Sequence, residues 1–274
     1  LPTSARFVAA AWHDIAPVND LPADIEDRPA ALAAVTDVLV TAYNEGDRVG
    51  HTVAALRELL PAARVVVADD GSTDDTARVA ADAGAEVVSA LHNVGKGGAA
   101  SLAAERIVGS HTGGSHGVVL ICDADLAHSA ARLAPLVAAV AGGDADLAVA
   151  VFARKLGGGF GVAREFARWA IERRCGLRTQ APISGQRALT HAALAQVTPF
   201  HAGFGMEIGM TVDAVRAGLR VREVEVDLSH RATGRTVAGF RHRGRQLRDF
   251  AKVYWATRRP APDEGAQAEA EVTK

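Results

Sequence analysis

Residues 35–41, 64–68, 86–90, 118–122 and 147–152 are short stretches dominated by Val, Leu, Ile and Ala. Runs of this length with little polar alternation read as strands buried on both faces. Between them lie segments of helical period. One covers about 49–60 and is ended by Pro61; the next covers 74–83, is capped by Thr73, carries acids in its first turn and stops at Gly84. Further helices are predicted over 95–108 and 130–141. Strand and helix alternating at this spacing predict an α/β fold, with parallel strands joined by right-handed crossovers.

The rhythm breaks after Phe152. Gly157-Gly158-Gly159 reads as a flexible loop, and an amphipathic helix is predicted over 162–174. A less regular stretch runs to Gly205, followed by a helix over 206–217 that Gly218 closes. Residues 221–228 alternate apolar and charged, the pattern of an edge or antiparallel strand. An Arg-rich helix is predicted over 239–256. Residues 1–34, with four prolines and no sustained period, read as an irregular extension with a short helix near 28–34. The polar tail 260–274 reads as disordered. The expected division is therefore 1–34, 35–153, 154–259 and 260–274.

Composition narrows this little. The chain has 274 residues, 49% hydrophobic and 23% charged, with a formal net charge of -2. That balance is ordinary for a globular protein and gives no support for nucleic acid as a partner. Cys122 and Cys175 fall in different predicted elements, which fits inert thiols in a reducing compartment. No apolar run approaches the ~20 residues that cross a bilayer. With no charged-then-apolar leader pattern, the expected location is cytoplasmic, without a transmembrane segment. Lysine is scarce (Lys96, Lys155, Lys252 and Lys274), so Lys96 draws notice for not being Arg.

The chemistry gathers at strand ends. Val118 to Cys122 ends in Asp123-Ala124-Asp125. Two acids there cannot be core, because a buried unpaired carboxylate costs several kcal/mol or more. The other predicted strand ends carry Ala42-Tyr43-Asn44-Glu45, Asp69-Asp70-Gly71 and His92 to Lys96. Each cluster alone could be a solvated turn. In a parallel sheet all four share one edge, the edge where open α/β sheets bind ligands. A paired-carboxylate turn at that edge suits a divalent cation carrying a diphosphate. Gly95-Lys96-Gly97 is not a P-loop, since Ala90 and Gly97 stand where Gly and Ser or Thr are required. The Gly-x-Gly-x-x-Gly dinucleotide fingerprint is missing after the first strand as well. Lys96 at a helix start can still attract an anion.

Residues 38–45 (Val-Leu-Val-Thr-Ala-Tyr-Asn-Glu), Asp69-Asp70-Gly71-Ser72-Thr73-Asp74, Asn93-Val94-Gly95-Lys96-Gly97 and Asp123-Ala124-Asp125 resemble, in order and spacing, the blocks of family 2-like glycosyltransferases of the GT-A fold. The resemblance covers about 35–153. It implies a GT-A, Rossmann-like sheet with helices on both faces and a smaller acceptor-side region. It also implies transfer from a nucleotide diphosphate sugar, with a UDP-sugar such as UDP-glucose expected, and with Mn2+ or Mg2+. By the same resemblance Ala42, Tyr43 and Glu45 lie near the nucleotide, Asp69 or Asp70 faces the base and Lys96 faces the nucleotide. Asp123 with Ala124 meets the ribose or metal, and Asp125 holds the metal.

Further blocks, Gly157-Gly158-Gly159, 180–185, 205–209 and Ser229-His230-Arg231, resemble those of glucosyl-3-phosphoglycerate synthases. That likeness implies His230 as a third metal ligand, a set that suits Mn2+ somewhat better than Mg2+. It places the acceptor near Gly159, Phe160, Ser184 and Arg231. Phe160 departs from the family, which has Arg there, and the departure points to a different acceptor; Arg164, Arg231 or Arg235 could supply the missing fork. Glu207 at a helix start is either a dipole partner or a catalytic group, acting with Asp125: a base if the reaction inverts, an orienter of the sugar if it retains. Two other functions remain at this point, a polyprenyl-phosphate sugar transferase at a membrane surface and a sugar nucleotidyltransferase. The partners expected are the donor, a small acceptor that can carry phosphate, and a second copy of the chain if it dimerises.

Overall fold

The structure is a computed structural model and describes residues 32–110, 117–152, 161–227, 249–250 and 252–257. Its centre is a seven-stranded sheet ordered β3-β2-β1-β4-β6-β5-β7. The strands are β1 (Val35–Ala42), β2 (Arg64–Asp69), β3 (Glu86–Ser89), β4 (Val118–Asp123), β5 (Leu147–Phe152), β6 (Arg187–Thr190) and β7 (Val221–Val226). β1 pairs in parallel with β2 and β4, β2 with β3, and β5 with β7. β6 alone runs the other way, antiparallel to both β4 and β5.

The helices are α1 (Val49–Leu59), α2 (Thr76–Asp82), α3 (Lys96–Ser110), α4 (Ala134–Ala141), α5 (Gly161–Cys175), α6 (His191–Val197) and α7 (Met206–Arg216), with 3-10 turns at Ala127–Leu133 and Gly203–Gly205. Alternate strand residues feed two cores. Val38, Val40, Val65, Val67, Leu120 and Cys122 meet α1, α2 and α4. Leu39, Val66, Val119 and Ile121 meet α3, α6 and α7 on the other face. Burial on both faces is why these strands read as unbroken apolar runs. α1 buries Val49, Thr52, Val53 and Leu56, a helical i, i+3, i+4, i+7 stripe. α5 lies outside α7, with Ala167 and Ile171 packed on Ile208, Val212, Phe250 and Val253.

The strand order explains where the site must be. The chain steps outward from β1 to β3 and then returns to β4 on the other side of β1. A right-handed return requires α3 to cover the face opposite α1 and α2, as it does. The ends of β1 and β4 therefore diverge at a topological switch point, which opens a crevice.

Some sequence expectations change. Thr73 does not cap α2, which begins at Thr76 with no side-chain cap. Instead Asp74 accepts the Thr76 amide at 3.0 Å and the Gly46 amide at 3.1 Å, so the acid ties two loops together. The stretch read as irregular before Gly205 contains β6 and α6. β7 is an edge strand as expected, and it is parallel to its neighbour. Of the predicted C-terminal helix, residues 249–250 and 252–256 are helical and the remainder lies outside the described residues.

Candidate active site

Five chain-distant segments meet at the switch point. β4 delivers Asp123, whose Oδ1 accepts from Lys96 Nζ at 2.7 Å and from Thr41 Oγ1 at 3.0 Å, and whose Oδ2 accepts from Gln186 Nε2 at 3.0 Å. Lys96 Nζ also donates to Glu207 Oε1 at 2.8 Å, so one ammonium bridges β4 and α7. Burial works against the charge of Lys96, but the carboxylates of Asp123 and Glu207 outweigh it and hold the ammonium above its ordinary pKa. Asp123 is the complement: burial works against its charge, yet Lys96 keeps its carboxyl below the usual range.

The local structure that brings Lys96 here is itself readable. Asp70 is buried, and its carboxylate accepts from the Val94 and Gly95 amides at 2.7 and 2.8 Å and from Asn93 Nδ2 at 3.0 Å. That clasp folds the loop after β3 so that α3 opens on Lys96. Burial raises the Asp70 carboxyl above its ordinary value despite those two amides. Next to it, Gly97 is pressed on the carbonyl of His201; a Cβ there would lie 1.8 Å from that oxygen. Only glycine lets α3 approach the segment leading into α7, and that approach is what allows Lys96 to reach Glu207. Glu207 occupies the first turn of α7 and is buried.

The other described candidates lie on the neighbouring strand ends and loops. Ala42 is buried at the end of β1, and its carbonyl accepts from the Asp70 amide at 3.0 Å. Tyr43 is exposed, at 45%. Asp69 is buried and accepts from the Ser72 amide at 3.1 Å. Glu45 pairs with Arg48 at 2.9 Å; burial raises its carboxyl, and the charges of Asp125 and Asp123 push it further the same way. Ala124 is buried, its carbonyl accepting from Thr52 Oγ1 at 2.6 Å, while Asp125 beside it is exposed. Ser184 is buried with an Oγ that has no partner among the described residues. Gly159, Phe160, His230 and Arg231 lie outside the described residues.

Gln186 and Arg187 were not singled out by sequence reasoning, and Thr41 and Gly185 stood inside quoted blocks without a role of their own. A Cβ on Gly185 would lie 2.6 Å from Asp123 Oδ2 and 2.8 Å from Lys96 Nζ. Arg187, wholly buried, donates to the Ser184 carbonyl at 2.9 Å and to Thr211 Oγ1 at 3.0 Å, and burial lowers its pKa to about 10. Little in the sequence marked them: Ser184-Gly185-Gln186-Arg187 reads as loop, and only the short Ala188-Leu189 pair follows it.

The crevice thus sets Glu45, Asp123, Asp125 and Glu207 against Lys96. Such a field repels a bare diphosphate, and a divalent cation would reverse its sign. The donor set fits one. Hard carboxylate oxygens suit Mg2+ or Mn2+, and the ammonium of Lys96 already occupies a cation's place beside Asp123. Among the described residues no three His, Cys, Asp or Glu side chains gather tightly enough to hold a metal by themselves. Asp123 and Asp125 would need phosphate oxygens or a further side chain.

Residues 37–192 match the model of the family described as Glycosyl transferase family 2. The chain belongs to glycosyl transferase family 2. Within this family it is 34% identical over 225 residues to a glucosyl-3-phosphoglycerate synthase of Mycolicibacterium paratuberculosis. That alignment takes in 71% of this chain and 65% of the relative, so the chain spans slightly under two thirds of the relative's length. An undecaprenyl-phosphate mannosyltransferase of Micrococcus luteus is 29% identical over 211 residues, covering 72% of this chain and 84% of that one. Among solved structures, glucosyl-3-phosphoglycerate synthase from Mycobacterium tuberculosis, in complex with Mn2+, UDP and glucosyl-3-phosphoglycerate, superposes with a TM-score of 0.66. The two are 26% identical, and the match covers 90% of this chain and 86% of the other. The sheet and its flanking helices are those of the GT-A glycosyltransferases.

Proposed function

We propose that this family 2 glycosyltransferase uses a divalent cation, Mn2+ or Mg2+, to move a sugar from a UDP-sugar to a small phosphorylated acceptor. The observation that carries the reading is the convergence of Asp123, Asp125, Lys96 and Glu207 at one switch point. The related structure that holds Mn2+ and UDP supports it. Asp123 and Asp125 would hold the cation, with His230 as a further ligand. The cation would stabilise the departing diphosphate as a Lewis acid. Ala42, Tyr43, Glu45, Asp69 and Asp70 frame the nucleotide end of the crevice. Lys96 adds positive charge where the leaving group departs. Glu207, already engaged by Lys96, suits a group that orients the sugar better than one that takes a proton. Ser184, with Gly159, Phe160 and Arg231, would meet the acceptor.

A screen of nucleotide sugars for released nucleoside diphosphate, with and without Mn2+, tests this reading. Asp125→Ala should lose metal-dependent turnover, about 100-fold or more, while its circular dichroism is unchanged. Retained metal-dependent turnover in that variant would reject the assignment. The likeness to the Micrococcus luteus enzyme favours one second reading, a polyprenyl phosphate as acceptor. No helix among the described residues is long and apolar enough to cross a membrane. Adding a polyprenyl phosphate in detergent beside a soluble phosphorylated acceptor separates the two.

A further inference from the structure

Asp123 presents a difficulty for a cation that arrives alone. Its Oδ1 already accepts from Lys96 and Thr41, and its Oδ2 accepts from Gln186. Gly185 lies against the same carboxylate and the same ammonium. Lys96 is held from the other direction by Glu207, whose side chain is only 7% exposed. No described residue hydrogen-bonds to Asp125, which faces solvent. A divalent ion approaching on its own would therefore find one carboxylate of the aspartate pair available and the other already neutralised. It would also meet the like charge of an ammonium 2.7 Å from the oxygen it needs.

A diphosphate changes the balance. Its charges attract the ammonium, and as Lys96 turns toward them it releases Asp123 Oδ1. The phosphate oxygens also complete the coordination that two carboxylates leave unfilled. We infer that Lys96 is a positioning residue that makes divalent-cation binding conditional on the donor diphosphate, by occupying Asp123 until the diphosphate draws it away. This inference rests on the UDP-sugar reading above and adds an order of binding to it. By linkage, the factor by which UDP tightens the cation is the factor by which the cation tightens UDP.

Paramagnetic resonance of free Mn2+ measures the effect without turnover. The chain is titrated with Mn2+ alone and with Mn2+ in saturating UDP, as wild type and as Lys96→Met, Lys96→Gln and Lys96→Arg. Wild type should bind Mn2+ weakly alone and about tenfold or more tightly with UDP. Lys96→Met and Lys96→Gln should bind Mn2+ alone about tenfold tighter than wild type, with most of the UDP effect lost. Lys96→Arg keeps the charge and should bind Mn2+ alone no more tightly than wild type. The inference is overturned if either neutral variant, folded by circular dichroism, binds Mn2+ alone no more tightly than wild type. Should both neutral variants fail to fold, the wild type decides: equal Mn2+ affinity with and without UDP overturns the inference. If no chain binds UDP under any condition, the donor reading itself fails.

Discussion

At the scale of single residues, the site is a carboxylate whose surroundings are fully specified. Asp123 is fixed by an ammonium, a hydroxyl and an amide, and each comes from a different part of the chain. The acids and Lys96 were legible in the sequence because charges at the ends of apolar strands have few places to go. Gln186 was not, since a neutral amide inside a stretch that reads as loop carries no such signal. Gly185 is the residue whose role is easiest to test. A methyl group there would sit 2.6 Å from Asp123 Oδ2 and 2.8 Å from Lys96 Nζ, and one of them would have to move. Displacing a reacting constellation by about 1 Å typically costs about 100-fold in rate. Gly185→Ala should therefore lower turnover on that scale while far-ultraviolet dichroism stays the same. A variant with wild-type turnover would show that the close approach has no bearing on the chemistry.

At the scale of elements, legibility followed length and apolar continuity. β1, β2, β4 and β5 were readable because both of their faces are buried. β6 has four residues and opens on Arg187, so it has no hydrophobic run to announce it. α6 did leave a trace, because Thr190 caps it by accepting from the Ala193 amide at 3.0 Å. The start of α2 was misplaced because Asp74 and Thr73 bond to the loop after β1, where Thr73 donates its amide to Asn44 Oδ1 at 2.9 Å. A similar bond between elements holds the acidic turn in place. Thr52 of α1 is fully buried, donates to the Ala124 carbonyl at 2.6 Å and accepts from the Ala127 amide at 2.8 Å. Valine has the same shape but would leave both backbone groups without a partner, at about 1–3 kcal/mol for each. Thr52→Val should shift the urea midpoint downward by a stability loss of about that size. It should also weaken Mn2+ binding in the presence of UDP, because Asp123 and Asp125 flank the carbonyl it frees. An unchanged midpoint would mean that α1 does not support the turn.

At the scale of the whole molecule, one sheet takes strands from both sides of the break in the sequence pattern. β5, β6 and β7 extend the same surface that β1 to β4 begin. The reversal at β6 is what delivers Ser184 to Gln186 to the crevice, because the strand starts where its parallel neighbours end. This arrangement lets an edge strand act on the site without touching it. Glu223 on β7 is buried and accepts from the Gln180 amide at 2.8 and 2.9 Å, from the Ala181 amide at 2.9 Å and from the Thr179 hydroxyl. It therefore anchors the segment that runs through Ala181 into Ser184, whose amide bonds back to the Ala181 carbonyl at 3.2 Å. A glutamine can offer only one acceptor oxygen there and turns an N–H donor toward backbone donors. Glu223→Gln should lower stability by about 1.5–3 kcal/mol, the range for hydrogen bonds to charged groups. Its kinetic effect should be selective. The Michaelis constant for the acceptor should rise, while UDP affinity, which the proposed function assigns to segments on the far side of β4, should be unchanged. A matching loss of UDP affinity would mean that the anchor serves the whole crevice, and no change in either constant would mean that Ser184 takes no part in holding the acceptor.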